Sequence, residues 1–155
     1  MNLPEYKNIR LRKTQDGKPE VLDVLRRRFV ALTPEEWVRQ HFVNYLAECK
    51  GYPLALMANE VELKVGDKHL RCDSVLFGKD MMPRMIMEYK AESVPLTEKV
   101  VTQITTYNML LHARFLTISN GNEHICMRRN ENSWEFLTEV PSYDDLLKEY
   151  ENKRP

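Results

Sequence analysis

Residues 84–90 read Arg-Met-Ile-Met-Glu-Tyr-Lys. Met85, Met87 and Tyr89 alternate with Ile86, so the run is apolar on both faces and predicts a strand in the middle of a sheet. Glu88 and Lys90 interrupt it. Two residues apart on a strand, they emerge from the same face, and charge in apolar surroundings needs a physical reason.

The patterns on either side set the order of elements. The opening stretch IRLRKT–QDGK–PEVLDV predicts two strands around Asp16-Gly17, a dipeptide suited to tight hairpins. Thr33-Pro34-Glu35-Glu36 announces a helix, with Thr33 as cap, Pro34 in the first turn and Glu36 as the reciprocal partner of a capping box. Its apolar stripe is Val38, Phe42, Tyr45 and Cys49, and it ends before Gly51. Three strand-like runs follow: 59–65, 69–77 and 84–90. Thr97 starts a second helix with the stripe Val100, Ile104, Tyr107 and Leu111. RFLTIS (114–119), EHICMRR and SWEFL are further strands, and Ser142 caps a short helix that frays into an acidic tail. These divisions give one domain over 1–155, with a hairpin extension at 1–32, a core at 33–140, and a C-terminal helix and tail at 141–155.

Hairpin registers bring the polar residues together. A turn about Lys79–Met82 puts Asp73 opposite Glu88, and a turn about Val65–Lys68 puts Glu60 opposite Asp73. Opposed side chains on adjacent strands have Cβ atoms roughly 4.5–5.5 Å apart. Three carboxylates and a lysine then share one patch. Like charges side by side destabilise a sheet, and Asp73 shares its face with Val75 and Phe77, which penalises its charge. A divalent cation removes both costs. Mg²⁺ prefers carboxylate oxygens completed by water and phosphate, polarises a phosphoryl oxygen and acidifies water. Lys90 then orients that water or offsets charge developing on phosphorus. A cross-strand ion pair is the plain structural account of an isolated Glu-x-Lys. The apolar flank of Met85, Ile86, Met87 and Tyr89 weighs against a solvated face. For Glu60 the plain account, an outward residue alongside Glu62 and Lys64, is equally available.

Other chemistries find no support. Cys49, Cys72 and Cys126 form no CxxC pair, which points to a reducing cytoplasm, and four scattered histidines argue against structural zinc. No GxGxxG, Walker loop, GxSxG or HExxH occurs. The opening residues hold no apolar signal-type run, and no stretch nears the roughly 18 apolar residues of a membrane span.

LTPEEWVRQHFVNYL, GYPLALMANEVELKV, LRCDSVLF, MIMEYKA, QITTYNMLL and FLTISNG stand in this order. Together they resemble the N-terminal nuclease domain of type I restriction enzyme R subunits, above all its stand-alone bacterial form, over roughly residues 30–140. The resemblance implies the PD-(D/E)xK nuclease superfamily. Its fold is α/β (α+β), an αβββαβ core with a central mixed sheet flanked by helices, here with an N-terminal hairpin and C-terminal strands added. It implies Asp73 and Glu88 as metal ligands for Mg²⁺ (or Mn²⁺ in its place), Lys90 as catalytic lysine, and Gln103 and Tyr107 as the Q-x-x-x-Y element. Gln103 is thereby a catalytic and substrate-contacting candidate and Tyr107 a substrate contact. Tyr107 is equally explained as a core residue anchoring its helix. Glu60 joins as a third metal-ligand candidate from the strand registers, and Arg71 as a substrate contact. The family's first helix often carries a further acid. Glu35 or Glu36 matches, although capping alone explains Glu36. Cys72 stands where the superfamily motif has proline.

The function so implied is Mg²⁺-dependent hydrolysis of DNA, with a homodimer or restriction-system subunits as partners and no membrane. The alternative is a non-catalytic DNA-binding or defence-associated module in which Arg10, Arg12, Lys13 and Arg26–Arg28 contact phosphates. A third reading is a protein-binding subunit using the acidic tail. Lys+Arg and Asp+Glu are both 23, so the formal charge is zero. That argues against nonspecific coating of DNA and for a weak binder helped by a partner.

Overall fold

A computed structural model describes residues 1–151. Gly17, at φ 80°, allows the expected tight turn between β1 (Leu11–Lys13) and β2 (Pro19–Asp23). A third strand, β3 (Arg28–Ala31), completes a small antiparallel sheet in the order β1-β2-β3. The arginine run conceals it. Arg26 folds back onto Asp23, Arg27 takes a left-handed turn at φ 55°, and only Arg28 begins the strand.

Helix α1 (Pro34–Lys50) starts where expected, with the Thr33 hydroxyl accepting from Glu36 N at 3.0 Å, and Gly51 at φ 76° closes it. The capping box does not form. The Glu36 carboxylate, 5% exposed, instead accepts from Arg26 at 2.9 Å and Gln40 at 3.1 Å. The buried stripe is Val38, Phe42, Val43 and Leu46, while Tyr45 is half-buried and Cys49 lies in an exposed last turn. Thr33→Ala leaves the Glu36 amide without its cap and is expected to cost about 1 kcal/mol in urea unfolding.

After a short 3₁₀ turn at Leu54–Leu56 come β4 (Met57–Val65), β5 (Lys68–Phe77) and β6 (Pro83–Tyr89). Helix α2 (Glu98–Asn108) then crosses to β7 (Phe115–Ser119), followed by β8 (His124–Arg129), β9 (Trp134–Phe136) and α3 (Tyr143–Glu151). The six strands β4–β9 form one sheet in sequence order, antiparallel except for the parallel pair β6–β7. The fold is therefore a mixed α+β one, and β6 is interior to its sheet.

Its two faces are both filled. Met85 and Met87 of β6 point into a core with Val38, Phe42 and Leu46 of α1 and Leu146 of α3. Ile86 points the other way, into a core with Val75, Leu116 and Ile118, against which Val101 and Ile104 of α2 pack. The sheet-facing side of α2 thus differs from the expected stripe, because Tyr107 is 41% exposed. Helix α3 is docked rather than fraying. Leu146 is fully buried, the Tyr150 hydroxyl donates to Arg84 O at 3.2 Å, and Glu149 pairs with Arg114 at 2.7 Å and Arg128 at 2.5 Å. The last four residues of the expected tail, 152–155, lie outside the described residues. No described helix is long and apolar enough to cross a membrane.

Candidate active site

The site grows from the end of the β5–β6 ladder. Ser74 pairs with Met87, Val75 with Ile86 and Leu76 with Met85, the expected register. Beyond Ser74 a side chain takes over from the ladder: Asp73 Oδ2 accepts from Tyr89 N at 2.8 Å. Asp73 is thereby fixed to the backbone between Glu88 and Lys90. On the next strand the Lys90 amide donates to Ser119 O at 2.9 Å, holding Lys90 where β6 and β7 end together.

Asp73 and Glu88 lie side by side. Burial, and then the neighbouring Asp73 charge and a hydrogen bond with it, push the Glu88 carboxyl up to about 9, against the smaller opposing pull of Lys90 and Arg39. Glu88 Oε1 is buried and has no hydrogen-bond partner. A buried carboxylate oxygen without a partner beside a second carboxylate is costly unless a cation completes it. The pair fits Mg²⁺, which uses one or two carboxylates and fills its remaining positions with water and phosphate. Asp73 and Glu88 are the residues that would hold it.

A cleft of about 200 Å³ opens at this point, lined by Arg71, Glu88, Lys90, Gln103, Tyr107 and Asn108 among others. Gln103 and Tyr107, one turn apart on α2, both face it. The Tyr107 hydroxyl accepts from Arg71 N at 2.9 Å, so this tyrosine ties α2 to β5 at the cleft rim instead of packing in the core. It stands about 60° round the helix from Ile104, at the margin of the sheet-facing side. A larger open depression of about 500 Å³, between His112, Arg114, Arg129 and Asn130, lies at the opposite end of β7. Its arginines are already engaged, Arg114 by Glu149 and Arg129 by Leu111 O.

Glu60 does not join the carboxylate pair. Its neighbours Asn59 and Val61 pair with Ser74 and Cys72, which places Glu60 opposite Asp73 in register. Its φ, however, is 54°. Met57 packs in the core under α1, whereas Val61, Leu63 and Val65 pack under α2, so β4 changes face at this residue. Its carboxylate accepts from Arg39 at 2.5 Å and Arg71 at 3.2 Å. Burial works against its charge, but Arg39, Arg26 and Arg71 together outweigh it and hold the carboxyl below its ordinary range. Among the described residues no three acidic, histidine or cysteine side chains converge on a point. Glu35 is exposed, and Glu36 is committed to Arg26 and Gln40. Of the basic residues proposed as phosphate contacts, Arg26 pairs with Asp23 and Glu36, and Arg12 with Glu20 at 2.8 Å.

Sequence reasoning missed the buried polar relay behind the strand. The Tyr89 hydroxyl donates to Ser74 Oγ at 2.9 Å, Ser74 donates to Asn59, and Asn59 Nδ2 donates to both oxygens of Asp23 at 3.0 and 3.1 Å. Asp23 and Ser74 are fully buried, and Asn59 is 6% exposed. The available signal was an asparagine at an inward position of an otherwise alternating strand.

Residues 34–141 match the family described as "Type I restriction enzyme R protein N terminus". A sequence comparison with curated proteins finds no match. Among solved structures, the chain is similar to a fragment assigned as an HsdR subunit of a type I restriction enzyme from Vibrio vulnificus YJ016. That likeness has a TM-score of 0.57 at 20% identity, over 77% of this chain and 25% of that one. A DrdV–DNA complex studied by electron cryomicroscopy gives a TM-score of 0.47 at 22% identity, over 78% of this chain and 12% of that one. The chain therefore spans about a quarter of the HsdR fragment, and the likeness to that fragment is one of fold.

Proposed function

We propose, from the premise that this chain belongs to the type I restriction enzyme R protein N-terminus family, that it is a metal-dependent DNA endonuclease domain. The observation that carries the reading is the Asp73–Glu88 pair, with an unpartnered buried oxygen and Lys90 at the same strand end. A cation held there supplies Lewis-acid polarisation of the phosphodiester and acidifies water. The chain's own residues do the rest. Asp73 and Glu88 would hold the cation. Lys90 orients the attacking water and offsets negative charge as its oxygen bonds to phosphorus and the leaving sugar oxygen departs with a proton. Gln103, exposed on α2 across the cleft, positions the phosphate, while Tyr107 sets the cleft width through Arg71. Zero net charge makes the domain a weak binder of duplex by itself. A second copy or a restriction-system subunit supplies the remaining grip.

The test is nicking of supercoiled plasmid in Mg²⁺, with Mn²⁺ as the alternative metal. Nicking by the wild-type chain that survives unchanged in both Asp73→Ala and Lys90→Ala overturns the reading. Duplex binding with no cleavage in any divalent metal assigns the fold to a binding module instead.

A further inference from the structure

We propose that Glu60 occupies, in the DNA-free protein, the place that a backbone phosphate takes on Arg71. The inference rests on reading the cleft as a DNA site and adds to it an internal competitor for the substrate. Glu60 holds two arginines that differ in kind. Arg39 is 5% exposed and lies 2.5 Å from Oε1, whereas the Arg71 side chain is 81% exposed and lies 3.2 Å from Oε2. The first bond is buried and costly to break; the second is an exposed pair that contributes little. A phosphate can therefore displace Glu60 from Arg71 while Arg39 continues to neutralise the carboxylate, and no buried charge is left alone. Arg39 is held in turn by Glu36 at 3.2 Å.

Arg71 is built to receive that phosphate. It lines the cleft with Glu88 and Lys90, and its backbone is pinned by the Tyr107 hydroxyl, so the guanidinium swings from a fixed base. A guanidinium meets carboxylate and phosphate oxygens with the same fork, which is why one can stand in for the other. The left-handed backbone at Glu60, φ 54°, turns the side chain away from Asp73 and onto these arginines. A residue strained in this way persists where its surroundings hold it, a pattern common at functional sites. Glu60 thus acts as an anionic plug that keeps Arg71 from gripping unselected anions.

The measurement is anisotropy of a fluorescein-labelled duplex in EDTA, over a salt series, for the wild type, Glu60→Gln, Arg71→Ala and the double variant. Glu60→Gln is expected to tighten binding about fivefold, the release of one exposed ion pair. Arg71→Ala is expected to weaken binding and to flatten the slope of log affinity against log salt by about one. In the Arg71→Ala background, Glu60→Gln is expected to change nothing. Equal tightening in both backgrounds, or an unchanged slope in Arg71→Ala, overturns the inference while leaving DNA binding intact. Absence of duplex binding by every variant overturns the DNA reading itself. A second measurement needs no change at Glu60: on adding duplex to the wild type, the side-chain nitrogen resonance of Arg71 moves and that of Arg39 stays. Movement of both, or of neither, overturns the proposal.

Discussion

Lys90→Ala is expected to slow plasmid nicking in Mg²⁺ by about 10²–10³-fold, the range for removing one preorganised group that stabilises transition-state charge. Two losses add here. The ammonium no longer offsets charge on phosphorus, and Glu88 becomes harder to ionise, since Lys90 is the foremost charge favouring its carboxylate. The fold should not notice. Lys90 is held through its backbone amide on Ser119 O, a bond that alanine keeps. Circular dichroism should match the wild type, so the loss is not one of folding. Lys90→Ala nicking at the wild-type rate would refute the assignment.

The second large effect is on stability. In the folded chain the Glu88 carboxyl is pushed up to about 9, against about 4.3 for a free glutamate. Between those values the folded state holds a proton that the unfolded state releases. The sign follows: stability falls as pH rises through this window, is greatest below it and levels off above it. Glu88→Gln removes the charge while its amide can donate to Asp73. At pH 8.5 the variant is expected to be more stable by on the order of 2 kcal/mol, a gain of several degrees in melting temperature. At pH 5 the two should melt close together. Mg²⁺ should raise the melting temperature of the wild type at pH 8.5 and leave the variant unmoved, since metal and proton compete for the same oxygens. Taking the difference between the two proteins cancels other groups that titrate in this range. A variant that melts lower at pH 8.5, or tracks pH as the wild type does, would refute the account.

Much of the arrangement was readable in the chain because it rests on local rules. The Thr33 cap, the Gly51 stop and the doubly apolar 84–90 run each carry their own physics, and the register that brings Asp73 to Glu88 follows from turn position alone. What escaped depends on partners distant in sequence. Glu36 has the spacing of a capping box, but Arg26 in the preceding turn offers a charged partner, and a buried carboxylate takes the charge. Periodicity placed Tyr107 in a stripe, yet the amide of Arg71, 36 residues away, claims its hydroxyl. Alternation assumes a regular strand, so it could not foresee β4 changing face at Glu60. The third carboxylate is accordingly drawn off to Arg39 and Arg71.

The relay from Tyr89 through Ser74 and Asn59 ends on Asp23, upstream of the stretch that matches the family. Leu146, beyond that stretch at the other end, fills the core beneath α1. The limits of the family match are therefore not the limits of the packed core. A chain trimmed to residues 34–141 would strip Asn59, Gln40 and Glu36 of partners supplied by the N-terminal sheet and open a void where Leu146 sat.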